Sequence, residues 1–416
     1  MFFHGGSSDS MELHSHLLQV KNNPGTAKRL TPTMNNQHTS FSKQEIPAET
    51  MTEALVSIER LTRNVQLIRE RISGKVRIMG IVKANAYGHD AQRVAAALET
   101  CGVADFGVAN IHEAIELRAD GALKKTSTIL AFSSPLLSHI EYFLRYGIEM
   151  TLCDLATLNA AKEIAAAHGK TLAVQLKVDT GMGRLGISPA MAMELLREID
   201  RSPFLELKGI YTHFAESAIP GGFTSQQLAA FKSLTAEYEH ASGRAVCKHA
   251  ANSGAILSHK ESWMDMVRPG ILLYGYHPAK QTPCRLDVQP VMQVESRVIF
   301  IKQLSAGETI SYNRTWRAPG QRFIATIAAG YADGYARALS GRATVMIHGN
   351  AYPQIGTVTM DQIMVDLGTE HHVNIGDRAT LFGWRGQSAE ELADLAGTIS
   401  YETLCSVSSR VKRIFL

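Results

Sequence analysis

Cysteine is scarce in this 416-residue chain: Cys101, Cys153, Cys247, Cys284 and Cys405 show neither disulfide nor zinc spacing. That scarcity excludes a disulfide scaffold and fits a reducing compartment, so a cytoplasmic location is expected. No apolar run is long enough to span a bilayer, so no membrane is expected as a partner. Neither charge is in large excess. The net +3 and the lack of basic clusters interleaved with aromatics make nucleic acid an unexpected partner. The 16 histidines fall in no H-x-E-H-type spacing, so no metal site is expected.

Core material is plentiful. An apolar fraction of 45% against 19% charged describes a globular protein, and the length calls for two domains, one of them large enough for a barrel. Residues 1–50 differ in kind: segments such as Gly5-Gly6-Ser7-Ser8-Asp9-Ser10 are polar, turn-forming and without period. They read as a disordered extension lacking the basic and apolar regions of a signal peptide. Met51 stands near the expected start of order, consistent with an upstream-start extension.

From about residue 55 to 280 short apolar runs alternate with helix-like segments. Eight such repeats predict a (β/α)8, TIM-type barrel over 51–288, in the α/β class. Most runs finish on a polar or charged residue: Lys83, Asn110, Asp154, Lys177, His213, Asn252 and Arg268. A barrel gathers these strand ends on one face, where active sites form. After residue 290, short strands separated by Gly-rich turns, with Ala389 to Ala396 as the one helical segment, predict a smaller, mainly β domain over 289–416.

Ile78-Met79-Gly80-Ile81-Val82 runs straight into Lys83. A lysine at a buried strand end loses hydration, which lowers its pKa and frees the amine to form a Schiff base with a carbonyl, pyridoxal phosphate (PLP) above all. The loops after the last two strands, Asn252-Ser253-Gly254 and Pro269-Gly270-Ile271, carry small residues that expose backbone N–H groups to a phosphate dianion. A rival reading rests on Gly181-Met182-Gly183-Arg184-Leu185-Gly186, which satisfies the G-x-G-x-x-G of an NAD-dependent oxidoreductase. Its context fails, because that motif should close the first βα unit and here follows the fifth strand.

Seven motifs occur in order. They are Val82-Lys83-Ala84-Asn85-Ala86-Tyr87-Gly88-His89, Lys177-Val178-Asp179-Thr180-Gly181-Met182-Gly183-Arg184, Thr212-His213-Phe214 and His249-Ala250-Ala251-Asn252-Ser253. Met266-Val267-Arg268-Pro269-Gly270, Gly330-Tyr331-Ala332-Asp333-Gly334 and Met360-Asp361-Gln362 complete the set. With them, residues 52–416 resemble the alanine racemase family, two-domain PLP enzymes that interconvert L- and D-alanine and supply the D form for peptidoglycan. The resemblance implies that Lys83 is the PLP lysine and one of two catalytic bases. It makes Tyr312 the second base, supplied by the partner subunit of a homodimer with composite sites. Tyr87, Ser253, Gly270, Ile271 and Tyr401 match phosphate-binding positions, with Asn252 in the same loop. Arg268 matches the arginine facing the pyridine nitrogen. Arg184 and Met360 match residues holding the substrate carboxylate. Lys177 matches an often carbamylated lysine bracing that arginine, and His213 a ring beside Tyr312 and Arg268. His249 is expected to be a hydrogen-bonding support and Asp361 a turn cap near the site. Tyr331, Asp333 and Arg337 match the segment lining the substrate's approach. Trp316 and Asn313, beside Tyr312, depart from the family's usual residues, which leaves serine or a broader amino-acid range as the alternative substrate class.

The chemistry accounts for these residue types. Racemisation takes a proton from one face of Cα and delivers one to the other, which calls for two bases with pKa values drawn toward neutrality. A cationic cluster of Arg184, Arg268 and Arg337 would lower the pKa of a tyrosine close by. An arginine opposite the pyridine nitrogen cannot accept a proton, so that nitrogen stays neutral and transamination is disfavoured.

Overall fold

The computed structural model describes residues 50–416 except 73 and 120, so the expected N-terminal extension lies, but for its last residue, outside the described residues. The described residues belong to one compact unit. Its first strand, β1 (Glu53–Val56), alternates half-buried and buried side chains as a one-sided strand does. It pairs antiparallel with β10 (Met292–Leu304) and parallel with β18 (Lys412–Phe415), and so lies in the C-terminal sheet, not in the barrel.

The barrel strands follow as β2 (Arg77–Ile81), β3 (Asp105–Val108), β4 (Thr128–Ala131), β5 (Glu149–Leu152), β6 (Leu172–Lys177), β7 (Leu205–Tyr211), β8 (Cys247–His249) and β9 (Met266–Val267). All pair in parallel in sequence order, and β9 returns to pair with β2. A bridge between Asn252 and Arg268, with Arg268 N donating to Ala251 O at 2.8 Å, closes the ring between β8 and β9. Close inner packing fixes small residues: a Cβ on Gly107 would meet Phe132 at 2.6 Å and Ile81 at 2.7 Å.

Helices α1 (Ile58–Arg71), α2 (Lys83–Tyr87), α3 (Ala91–Thr100), α4 (Ile111–Ala119), α5 (Ile140–Tyr146), α6 (Leu155–Ala167), α7 (Pro189–Arg201), α8 (Gly222–Ser242) and α9 (Ser253–Ser258) alternate with these strands. In α1, Ser57 accepts the Arg60 N–H, Glu59 sits in the first turn and Arg69 and Arg71 in the last, each favourable to the helix dipole. Its buried positions, Leu61, Asn64, Val65 and Ile68, fall at helical spacing on one face.

Beyond the barrel, β10 is followed by the hairpin β11 (Thr309–Ile310) and β12 (Trp316–Arg317), then β13 (Arg322–Ile327), β14 (Thr344–Ile347), β15 (Asn350–Ile355), β16 (Ile363–Gly368) and β17 (Arg378–Phe382). The order β13–β16–β15–β14–β17–β10 returns to β13, and β1 and β18 extend the sheet outward from β10. Two helices sit here rather than the single one expected, α10 (Ala389–Ala396) and α11 (Ser400–Cys405). The second has fewer than two turns, too short for its period to be read from sequence. No helix among the described residues is long and apolar enough to cross a membrane.

Asn64 joins the two parts. Fully buried on α1, it donates through Nδ2 to the carbonyls of Leu273 (3.0 Å) and Gln289 (2.9 Å) and accepts from Gln289 N (2.8 Å). Asn64→Leu would strand the buried Leu273 carbonyl and the partly buried N–H and carbonyl of Gln289, and a loss of about 3 kcal/mol of unfolding free energy is expected from urea denaturation. A loss within error of zero would mean that these bonds carry no net stability.

Candidate active site

The polar strand ends divide by what they do locally. Asn110 Oδ1 accepts the His112 and Glu113 amides, and Asp154 accepts Thr157 N at 2.7 Å, so both cap the helix that follows. Asn252 likewise caps α9 through Ala255 N (3.1 Å). Lys83, Lys177, His213, Asn252 and Arg268 instead converge on a cavity of about 560 Å³ at the C-terminal mouth of the barrel. Tyr87, Arg184, Ser253, Gly270, Ile271 and Tyr401 line it too. That volume suits a small cofactor with its substrate. Its lining holds four cationic side chains and no carboxylate.

Lys83 and Tyr87 reach the cavity through an unusual turn. Ala84, Asn85, Ala86 and Tyr87 all have φ of 52–53°, a left-handed turn of four L-residues, each costing about 1–2 kcal/mol. Side chains hold it. Glu113 accepts Ala84 N at 2.9 Å and Ala109 N at 2.8 Å, and Asn85 Oδ1 accepts Ala91 N at 2.8 Å. His89 Nδ1 lies 3.0 Å from Ala86 O and 2.9 Å from Tyr87 O, so this nitrogen carries the ring proton. Arg413 Nε donates to Gly88 O at 2.9 Å. Burial lowers the Lys83 pKa, the Arg184 and Arg268 charges lower it further, and Glu113 opposes them.

Arg268 lies on the cavity floor, buried. Its Nη2 donates to Thr212 O (2.7 Å) and Ala250 O (3.0 Å) and approaches His213 Nδ1 (3.5 Å), while Nη1 donates to His249 Nδ1 (2.9 Å). Burial draws the guanidinium down to about 10, so it stays charged at neutral pH. The same burial, with Arg268 beside them, pushes His213 and His249 well below the ordinary histidine value and keeps both neutral. Tyr211 is the platform of this floor. His249 stacks on its ring at 4.9 Å and 9°, with the Lys177 and Arg268 cations 5.6 and 5.7 Å from its centroid. Lys177 donates to Val178 O at 2.9 Å, and its amine is lowered to about 8 by burial and then by Arg268.

Opposite the floor, Ser253 Oγ accepts Gly270 N at 2.9 Å, tying together the loops after β8 and β9. A Cβ at Gly270 would lie 2.5 Å from Tyr87 Oη, and one at Gly254 would lie 2.5 Å from Ser217 Oγ, so both glycines leave room that any larger residue would fill. Tyr87 packs on Tyr274 (4.7 Å) and Tyr401 (5.9 Å), and burial pushes the Tyr401 hydroxyl up to about 12.

Tyr312, Tyr331, Arg337, Met360 and Asp361 do not line this cavity. They gather on the β domain, around residues 357–361. Tyr312 O accepts from Thr357 Oγ1 (3.1 Å), Tyr331 N donates to Thr359 O (3.0 Å), and Arg337 O accepts from Ser340 Oγ, which in turn accepts Val358 N. Asp361 pairs with Arg410 at 2.9 Å rather than capping a turn. Asp333 also pairs with Arg410, at 2.8 Å. Tyr312, Met360 and Tyr331 are 68%, 52% and 43% exposed, an aromatic and apolar patch on the single chain.

The glycine motif of the rival reading is closed to phosphate. Asp179 Oδ1 accepts the amides of Gly181, Met182 and Gly183 at 2.8–3.2 Å, occupying the N–H groups a dinucleotide would need. Sequence reasoning missed Tyr211 and Glu113. Tyr211 stands two residues before His213, the period-2 spacing that puts both on the inner face. Glu113 carried no signal, since only the fold brings its helix to the turn after β2.

The family models for the alanine racemase N-terminal and C-terminal domains match residues 56–278 and 291–415. Alanine racemase of Chlorobaculum tepidum is 57% identical over 381 residues, 92% of this chain and all of that one. Among solved structures, alanine racemase of Clostridium difficile superposes with a TM-score of 0.84 at 33% identity, covering 89% of this chain and 97% of that one. Alanine racemase of Bartonella henselae with covalently bound pyridoxal phosphate gives 0.80 at 29% identity, covering 88% and 100%. A barrel with a lysine and a cationic floor at its mouth, joined to a β domain, is the architecture of a two-domain amino-acid isomerase. The chain belongs to the alanine racemase family.

The lowered Lys83 amine is measurable without any ligand. Competitive acetylation across pH should give Lys83 an inflection below the ordinary 10.5. Arg184→Ala, by removing a neighbouring positive charge, should move that inflection upward. An inflection at or above 10.5 in the unaltered protein would contradict the half-buried, cation-flanked site.

Proposed function

We propose that this protein interconverts L-alanine and D-alanine with pyridoxal 5'-phosphate as cofactor. The reaction would run in the cytoplasm of a cell that needs D-alanine for peptidoglycan. The observation that carries this reading is the cavity lined by Lys83, Lys177, Arg184 and Arg268 and by no carboxylate. Such a lining suits contents that bring two anions, a phosphate and an amino-acid carboxylate. The residues present fit the cofactor. Lys83 offers an amine of lowered pKa, and Gly270 and Gly254 keep open a space beside Tyr87 and Ser217 that a Cβ would fill. The first amides of α9 lack intrahelical acceptors and lie beside Ser253.

In this reading PLP acidifies the substrate's Cα–H by delocalising the negative charge left behind. Lys83 anchors the cofactor and moves the proton on one face of Cα. Ser253, Tyr87, Tyr401 and the loop of Gly270 and Ile271 hold the phosphate end, with Asn252 shaping that loop as the cap of α9. Arg268 presents a donor and no acceptor to the ring nitrogen, so it leaves that nitrogen without a proton. Arg184 receives the substrate carboxylate, and Lys177 and His213 complete the floor with Arg268.

The second proton needs a base on the opposite face, and we assign it to Tyr312 of the partner subunit. The exposed patch of Tyr312, Tyr331 and Met360 supports this, because it lies outside the cavity of its own chain and is apolar enough to cover a neighbour's. Two chains packed with C2 symmetry would make two identical composite sites, with Met360, Tyr331, Arg337 and Asp361 around each approach.

The direct test is chemical. Borohydride treatment of the cofactor-loaded protein should fix a pyridoxyl group on the peptide containing Lys83, and chiral chromatography should show alanine racemised faster than serine, lysine or arginine. A label on another lysine sinks the site, and comparable rates on lysine or arginine replace alanine by a broad substrate class. The shared site has its own test, mixing inactive Lys83→Ala and Tyr312→Ala proteins after subunit exchange. Half the dimers are then mixed and each holds one intact site, so about a quarter of normal activity should return. No recovery despite proven exchange would put both bases on one chain.

A further inference from the structure

We infer that Gln175 and Glu149 are positioning residues for Arg268, acting through a hydrogen-bonded relay that descends from the cavity floor along the inside of the barrel. The inference rests on the proposed reading of Arg268 as the residue facing the cofactor's ring nitrogen. Arg268 Nη1 lies 2.9 Å from His249 Nδ1, His249 Nε2 lies 2.6 Å from Gln175 Oε1, and Gln175 Nε2 lies 2.5 Å from Glu149 Oε2. All four side chains are buried.

The sense of every bond follows from its two ends. A guanidinium only donates, so His249 Nδ1 must accept and Nε2 must carry the ring proton. That proton can go only to the amide oxygen of Gln175, which turns the amide nitrogen toward Glu149, a carboxylate able to accept it. A reversed amide would set N–H against N–H at one end and oxygen against oxygen at the other. The relay thus has one consistent direction, and it selects the Nε2–H tautomer of a neutral His249.

The barrel is built around it. Gln175, Gly209 and Cys247 are neighbours across β6, β7 and β8, and the pairing of β6 with β7 shifts register between Val174 and Gln175. A Cβ at Gly209 would lie 2.9 Å from Gln175 Oε1 and 3.0 Å from Cys247 O, so only glycine there leaves the amide its place. Tyr211 stacks on His249 and fixes the plane of its ring, and Thr151 Oγ1, donating to Ala131 O, accepts the Tyr211 hydroxyl at 2.7 Å. Two carbonyls hold Nη2 of Arg268, and the His249 lone pair holds Nη1. Without the latter the guanidinium could turn about the axis through its remaining contacts. A protonated His249 would present N–H to N–H and drive it away.

Gln175→Leu, Gly209→Ala and Glu149→Gln separate the parts. Ring-15N histidine NMR of the cofactor-free protein, with His249 assigned from its loss in His249→Asn, should find the Nε2–H tautomer in the wild type. Gln175→Leu and Gly209→Ala should both lose that preference, the second without removing any polar group. Glu149→Gln keeps an acceptor for the Gln175 amide and should retain it. In the loaded enzyme, racemisation turnovers per transamination event should fall about tenfold for Gln175→Leu and Gly209→Ala, the worth of one hydrogen bond to a charged group. For Glu149→Gln the fall should stay within about twofold, as a relay working through geometry requires. An Nδ1–H tautomer in the wild type, or a tautomer and partition unmoved in both Gln175→Leu and Gly209→Ala, overturns the relay. A wild type with this tautomer that fails to racemise alanine leaves the relay standing and refutes the proposed function instead.

Discussion

Two cations, Lys177 and Arg268, are buried under a cavity that has no carboxylate in its lining. Burying charge without a countercharge is expensive, and the structure offsets it with what a barrel interior can supply. Main-chain carbonyls of Thr212, Ala250 and Val178 accept from the two side chains, and the face of Tyr211 lies under both. The two histidines on the floor are held neutral by the same burial, so they accept from or lie beside Arg268 without repelling it. Each of these groups depends on the others: Tyr211 orients His249, and His249 receives Arg268. Glu113 and Asp179 offset part of this charge from outside the cavity, but no carboxylate enters the lining, so the field at the mouth favours anions.

Much of this was readable from residues. The eight apolar runs predicted the barrel because parallel strands buried on both faces need continuous apolar sequence, and each ends within a few residues of where its run does. Lys83 was legible because a charged residue closing such a run breaks its pattern. The polar strand ends were less legible as a class, since helix capping asks for the same side chains as chemistry does. Asn110 and Asp154 cap, Lys177 and Arg268 face the cavity, and Asn252 does both. Asp361 was misread as a turn cap because its partner, Arg410, which also pairs with Asp333, lies far along the chain. No local pattern announces a long-range partner. The same holds for β1, whose four residues look like any strand until β10 and β18 flank it.

The turn after β2 has a different logic. Four left-handed L-residues would not persist in an isolated peptide, and the carboxylate of Glu113 and the guanidinium of Arg413 come from distant parts of the chain to hold them, beside the ring of the adjacent His89. Lys83 and Tyr87 therefore owe their common direction to tertiary contacts rather than to their spacing. A lysine set on such a turn is placed by the whole fold, which keeps it rigid where a loop of ordinary conformation would let it swing.

The pairing of residues 53–56 with 412–415 has a consequence for how the protein is made. During synthesis the barrel segment leaves the ribosome well before residue 412, so β1 emerges ahead of all eight barrel strands and must wait for nearly the last residues to gain its outer neighbour. Its inner neighbour, at 292–295, is likewise some 240 residues away. Until both arrive, a short apolar strand hangs from the barrel with its edges bare, open to pairing with another nascent chain. Chaperone demand should therefore fall on the late, C-terminal stage of folding. A barrel cut loose at residue 288 would carry that orphan strand permanently, and would be sticky for a reason that lies in none of its own eight strands.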